Sequence, residues 1–232
     1  MNDIPARLAD VRDRIARAAS RAGRDASRIR LVSVSKTFDA GCVRAAAQAG
    51  QLDFGENKVQ EAQHKRQQTA DLNLRWHLIG HLQSNKAAKA ASLFDVIHSI
   101  DDPSLVRKID AAAAAAGRTV ELLVQVDLAG EPTKHGARES DLAAIFDAAR
   151  GCPAIRLSGL MTLPPATADP DGARPWFREL VSVRDRLRAR GVDGSLLAEL
   201  SMGMSHDYEI AIEEGSTIVR VGTAIFGRRP AA

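Results

Sequence analysis

The stretch RLVSVSKTFD, residues 30–39, decides how the chain is read. Leu31, Val32 and Val34 make residues 30–35 a short apolar strand, and Lys36 stands where that strand ends. A lysine at the exit of a buried strand is either a rim residue with its stem on apolar surface or an amine placed for chemistry. Working outward, the same unit recurs. Short apolar runs at 30–35, 52–54, 74–79, 94–98, 119–126, 155–159, 196–200 and 217–221 read as strands. Between them lie CVRAAAQAG, NKVQEAQHKRQQ, KAAKAASLF, DPSLVRKIDAAAAAAG, ARESDLAAIFDAARG, GARPWFRELVSVRDRLRARG and DYEIAIEEG. These are rich in helix formers, and several close on a glycine. Strands that alternate with helices along the whole chain predict an α/β fold, a single (β/α)8 TIM barrel.

An extra helix precedes the barrel. Ile4, Leu8, Val11, Ile15 and Ala18 fall on one helical face over residues 1–22, and Gly23 stops the helix. The barrel then fills about 30–227, and one domain over 1–232 is expected. The net charge of +3 comes from scattered arginines, without a Lys/Arg block or interleaved aromatics, so no nucleic-acid partner is expected. Cys42 and Cys152 form no C-x-x-C motif. MNDIPARLADVRDRI carries acids rather than a secretory apolar run, and no stretch is apolar enough for a membrane span. A cytoplasmic protein without a membrane partner is expected.

In such a barrel the site lies at the C-terminal ends of the strands. The first strand places Lys36 there, and the second, in FGEN, places Glu56 and Asn57. The third offers His77, His81, Gln83, Ser84 and Asn85 in WHLIGHLQSNK, and the loop after the fifth carries Lys134. Gly222 and Thr223 follow the eighth strand, and Ser201, Gly203 and Ser205 are read in the loop after the seventh. Two Gly/Ser segments there suit an anion held by backbone N–H groups. Ser205 is also placed to cap the helix that begins at HDYE. Arg220 alternates inward between Val219 and Val221, and a buried arginine needs an acceptor, either Glu199 or a ligand. Strand one closes on strand eight, so the amine and the anion site are neighbours. That suggests Lys36 forming a Schiff base with a phosphorylated aldehyde. SVSK matches S-x-x-K but lacks the K-T-G and S-D-N partners. His77 and His81 are not in an H-E-x-x-H motif, and no metal site is expected.

SVSKT, FGENKVQE, WHLIGHLQSNK, GLMTL, LSMGMSHDYEIAI and TIVRVGTAIFG, in this order, resemble the YggS/PROSC family of pyridoxal phosphate homeostasis proteins. The likeness runs from about Asp3 to Arg228. It implies a barrel like the N-terminal domain of alanine racemase, with pyridoxal 5′-phosphate (PLP) on Lys36 as an internal aldimine. It carries phosphate contacts to Ser201, Gly222 and Thr223, with Met202 and Arg220 adjacent, and sets Asn57 near the cofactor ring. Lys134 matches a family lysine. Phe38, Asp39, Lys58 and His135 depart from residues common among relatives, namely lysine, proline, tyrosine and serine.

Three functions compete. The first is a non-catalytic PLP-binding protein for cofactor homeostasis or delivery, with apo PLP-dependent enzymes as partners and a monomeric state. The second is a racemase-like PLP enzyme acting on amino acids. The third is a cofactor-free Schiff-base aldolase. Racemisation needs a proton acceptor on each face of the substrate carbon. The chain ends at Ala232 just past strand eight, and Tyr208 is its one tyrosine, expected to pack or cap. The first function is therefore the expectation, with no catalytic residue assigned.

Overall fold

Eight parallel strands close into a barrel in chain order. The computed structural model describes residues 3–130 and 135–228. The strands are β1 (Arg30–Val34), β2 (Asp53–Glu56), β3 (Arg75–Leu78), β4 (Val96–Ile100), β5 (Val120–Gln125), β6 (Ile155–Met161), β7 (Glu199–Met204) and β8 (Ile218–Val221). Helix α1 (Ile4–Arg21) precedes them. The connecting helices are α2 (Ala40–Gln48), α3 (Val59–Gln68), α4 (Ala87–Leu93), α5 (Pro103–Ala115), α6 (Glu139–Ala149), α7 (Arg174–Ala189) and α8 (Tyr208–Glu213), and a short α9 (Thr223–Phe226) follows β8. No described helix is long and apolar enough to cross a membrane.

Alternation along the strands divides the interior in two. Leu31, Val219 and Val221 point out under the helices, into the main apolar core. Val32, Val96, Leu123, Met161 and Ile218 point in and fill part of the lumen. Arg220 lies opposite Val32 where β8 closes on β1, and so points into the lumen as its parity requires. Helix α1 buries Ile4, Leu8, Val11, Ile15, Ala18 and Ala19. Each large apolar side chain so buried contributes about 1.5–3 kcal/mol. Arg14 and Arg21 tie α1 to α8 through Glu209 at 2.6 Å and Glu213 at 2.9 Å. Tyr208 packs fully buried, with the Arg14 guanidinium 5.4 Å from its ring centre.

β2 and β6 run two residues past the sequence reading, and β4 and β7 start later than it. β7 begins at Glu199 rather than 196, because Leu196 and Leu197 belong to a short 3-10 turn that Asp193 caps through the Ser195 amide at 2.8 Å. The strand then runs on through Ser201 and Gly203, which are not loop residues. Gly203 has φ +94, and a Cβ there would stand 2.5 Å from the Ala211 Cβ, so glycine lets α8 lie on the strand. β4 begins at Val96 rather than 94, because Phe94 closes α4 with its N–H on the Ala90 carbonyl.

Candidate functional site

A cavity of about 250 Å³ opens at the C-terminal ends of the strands. Lys36 enters from the end of β1, Asn57 from β2, Met204, Ser205 and His206 from β7, and Gly222 and Thr223 from β8. Arg220 also lines it, and Val34, Ile79 and Leu163 give it apolar walls. Gly80 is needed at this rim, since a Cβ there would stand 2.4 Å from the Asn57 carbonyl oxygen. Wider grooves of about 340 and 640 Å³ lie elsewhere, and neither has a lysine in its lining.

The backbone on both sides of Lys36 is clamped from below. Thr37 has φ +71, a left-handed conformation that costs a β-branched residue about 1–3 kcal/mol. Its N–H donates to Glu61 Oε1 at 2.6 Å. The Ser35 carbonyl accepts from Lys65 Nζ at 2.7 Å. Lys65 also reaches Glu56 at 2.7 Å and Glu61 at 2.8 Å, and the Ser35 hydroxyl donates to the same Glu56 oxygen at 2.6 Å. Burial pushes the Glu56 carboxyl up, and Lys65 opposes it. NKVQEAQHKRQQ reads only as a segment rich in helix formers, yet its Lys65 is buried beneath the first strand's exit. Only the packing of α3 against that exit shows this.

At the other rim, Ser205 does not cap α8. Its hydroxyl oxygen instead accepts from the Gly222 amide at 3.1 Å and the Ala224 amide at 3.4 Å. Asp207 holds the turn by accepting from the Met204 amide at 2.6 Å. Two backbone N–H groups therefore converge on one oxygen at the cavity edge, the arrangement that holds an anion.

Arg220 is not paired with Glu199, which lies 3.7 Å from Arg30 at the N-terminal ends of the strands. Arg220 instead heads a hydrogen-bonded chain across the lumen. It donates to Ser201 Oγ at 2.6 Å and to the Thr162 carbonyl at 2.9 Å. Ser201 Oγ meets His98 Nδ1, His98 Nε2 meets His77 Nδ1, and His77 Nε2 meets Asp53 Oδ1, each at 2.9 Å. Burial keeps both histidines neutral. An ionised Asp53 can only accept, so His77 and in turn His98 carry their proton on Nε2, and every hydrogen points from Arg220 toward Asp53. Burial holds both rings below the usual imidazole range, His98 well below it. Burial also lowers Arg220, to about 10.

The structure brings Lys36, Asn57, Arg220, Gly222 and Thr223 to one cavity. Ser201 lies beneath it as the second link of the chain, and Ser205 takes the rim position. Met202 is fully buried in the core under the helices, so its side chain does not reach the cavity. His77 is inside the lumen rather than at the strand exit. Lys134 lies outside the described residues.

The neutral histidines make an acid-stability prediction. Below about pH 6.5 the unfolded chain binds protons that buried His77 and His98 refuse. Stability from each ring is complete above that pH and falls by about 1.4 kcal/mol per unit below it. Burial pushes Glu56, Asp101 and Asp207 upward, which adds stability in acid and opposes this trend. Urea titrations of the protein and of His98→Gln isolate the difference. The variant's curve is expected to fall less steeply between pH 6.5 and 5; parallel curves would assign His98 no part in it.

The family model described as alanine racemase, N-terminal domain, matches residues 7–230. A protein of Pseudomonas aeruginosa named pyridoxal phosphate homeostasis protein is 42% identical over 230 residues, 99% of this chain and 97% of that protein. One of Aquifex aeolicus with the same name is 40% identical over 223 residues, 96% of this chain and 97% of the relative. The solved structure of PipY from Synechococcus elongatus with PLP bound superposes with a TM-score of 0.85 at 37% identity, covering 97% of this chain and 100% of that one. The likeness takes in nearly the whole length of each of these proteins. The chain therefore belongs to the alanine racemase N-terminal domain family, among the pyridoxal phosphate homeostasis proteins.

Proposed function

We propose that this protein binds PLP through the Lys36 amine and serves in cofactor homeostasis or delivery, without catalytic turnover. The observation that carries the reading is the meeting of Lys36, the converging Gly222 and Ala224 amides, and Arg220 at one cavity. The relatives' names and the PLP in the PipY structure support it. The residues fit the group. The cavity is near the small end of ligand pockets, roughly 300–1,000 Å³, which suits one ring and one phosphate. When bound, PLP supplies an aldehyde that condenses reversibly with a primary amine.

Each side chain has a part in this reading. The clamp under Ser35 and Thr37 holds Lys36 at the mouth. The Gly222 and Ala224 amides, with the Ser205 and Thr223 hydroxyls, take the phosphate. Asn57, Ile79 and Leu163 bound the ring. Arg220 brings a cation to the cavity, which disfavours a second cation on a ring nitrogen and weakens the ring as an electron sink. Tyr208, packed under Arg14, does not line the cavity. We read 1–232 as one cytoplasmic, monomeric cofactor-binding domain whose partners are apo PLP-dependent enzymes.

Borohydride reduction of the PLP-loaded protein, followed by peptide mass mapping, is expected to place the pyridoxyl group on Lys36. A label found on Lys86 alone would overturn the assignment. Lys36→Ala is expected to fold and to lose the visible absorbance. With L-alanine in deuterated water, exchange at the α-carbon should stay far below the roughly 1–10³ per second of enzymes. Exchange at such rates would favour the racemase-like reading instead.

A further inference from the structure

We propose that His81, Asp101 and His135 form a binding site for a divalent transition-metal ion of the zinc class at the mouth of the barrel. The three come from three separate connections. His81 follows β3, Asp101 follows β4, and His135 lies between β5 and α6. Each offers one ligand atom, and these atoms all lie within 4.8 Å of one another. None of the three is among the residues that line the PLP cavity. The site is independent of the cofactor reading.

The donor set points to the ion. Two imidazoles and a carboxylate suit Zn²⁺, Co²⁺ or Ni²⁺, whereas Mg²⁺ and Ca²⁺ favour all-oxygen shells. Three protein ligands leave a fourth position for water or a small ligand, the arrangement of an open zinc site. The carboxylate is poorly served by the protein alone. Asp101 is half-buried, and His81 Nδ1 stands 3.8 Å from it, too far for a hydrogen bond. The imidazoles of His81 and His135 are stacked, with centres 3.5 Å apart and planes within 9°. No ring nitrogen of either is hydrogen-bonded to another described residue.

The scaffold is set and only the rings must turn. The buried Gln125 side chain donates to the His135 carbonyl, and the Ala137 amide donates to the Gln125 carbonyl at 2.8 Å, which fixes the backbone on both sides of Gly136. Zinc bonds of about 2.0–2.2 Å in a tetrahedron set ligand atoms roughly 3.3 Å apart, so the present spread closes by up to about 1.5 Å. Stacked rings hold their lone pairs in two parallel planes that do not meet, so one imidazole swings about its Cβ–Cγ bond to converge on the ion. Both histidines are exposed and have room to do so. A search by motif misses the site because its ligands stand twenty and thirty-four residues apart along the chain.

The test uses protein without a polyhistidine tag, treated with chelator and then dialysed. Titration with Co²⁺ is expected to give one ion per chain and visible ligand-field bands that Zn²⁺ abolishes by competition. Mg²⁺ should not compete. Zn²⁺ at 100 times its Kd should raise the thermal midpoint. Affinity should fall as pH drops from 7.5 to 5.5, since a protonated imidazole cannot ligate. His135→Ser and Asp101→Asn should each weaken Co²⁺ at least tenfold. Absence of saturable 1:1 binding would overturn the proposal. So would undiminished binding in the double variant His81→Ala/His135→Ser.

Discussion

A Lys65→Met variant is expected to lose about 3–5 kcal/mol of stability, the cost of leaving a buried charge without its partner. Lys65 is 5% exposed at its side chain and Glu56 is 0% exposed. One oxygen of Glu56 already lacks a hydrogen-bond partner. Without Lys65 the remaining oxygen keeps only the Ser35 hydroxyl. Burial, which already pushes this carboxyl up, would then act unopposed by its main cation. The folded protein would hold a proton that the unfolded chain releases near its ordinary value of about 4.3. Stability of the variant should therefore fall as pH rises from there through the raised value, so the defect is larger at pH 8 than at pH 5. In a chain of this size the loss corresponds to a midpoint shift of about 6–20 °C. Adding Glu56→Gln should recover much of it, because a pair of neutral groups is cheaper to bury than one bare carboxylate. Denaturant titrations of the three proteins read this directly. A loss below about 1 kcal/mol would mean that the pair is screened like a surface salt bridge.

Pyridoxal is expected to bind about 10²–10⁴-fold more weakly than PLP. The Gly222 and Ala224 amides converge on the Ser205 hydroxyl at the cavity edge. In the proposed complex those two donors meet a phosphate. Charge-assisted hydrogen bonds contribute about 1.5–3 kcal/mol each, so two give about 3–6 kcal/mol. That range converts to the expected ratio at about 1.4 kcal/mol per tenfold. Bonding to Lys36 cancels once the affinity of pyridoxal is expressed on its open aldehyde form, since its free 5′-hydroxyl also closes on the aldehyde as an internal hemiacetal. Equilibrium dialysis measures the two affinities, and equal values would leave the β7–β8 rim as a plain turn. Ser205→Ala should weaken PLP and leave pyridoxal unchanged.

The barrel was legible because its strands are short apolar runs set between long helix-forming segments, and because the face of α1 repeats at helical spacing. Strand ends were less legible. Leu196, Leu197 and Phe94 are as apolar as strand residues, yet a capped 3-10 turn and a helix terminus claim them. That shift of β7 explains the serine. A strand ending at 200 puts Ser201 at the rim, whereas the strand running to Met204 buries Ser201 and presents Ser205. Lys36 and Arg220 could be placed from parity and strand order. Lys65 could not, since its burial depends on how α3 rests against Ser35. Nor could the partnership of His77, His98 and Asp53, which joins three strands across the lumen and leaves no spacing along the chain.

The chain from Arg220 to Asp53 has a consequence in time as well as in space. Its hydrogens all point one way, so no single link can reverse without leaving two donors or two acceptors face to face. The imidazole protons of His77 and His98 are also sealed from solvent, both residues being 0% exposed. They leave only when the strands around them part, and local fraying of loops or of α1 does not release them. Their resonances in a proton spectrum are thus a clock inside the molecule. The rate at which they fade in deuterated water reports the opening of the barrel itself, separately from any motion at its mouth.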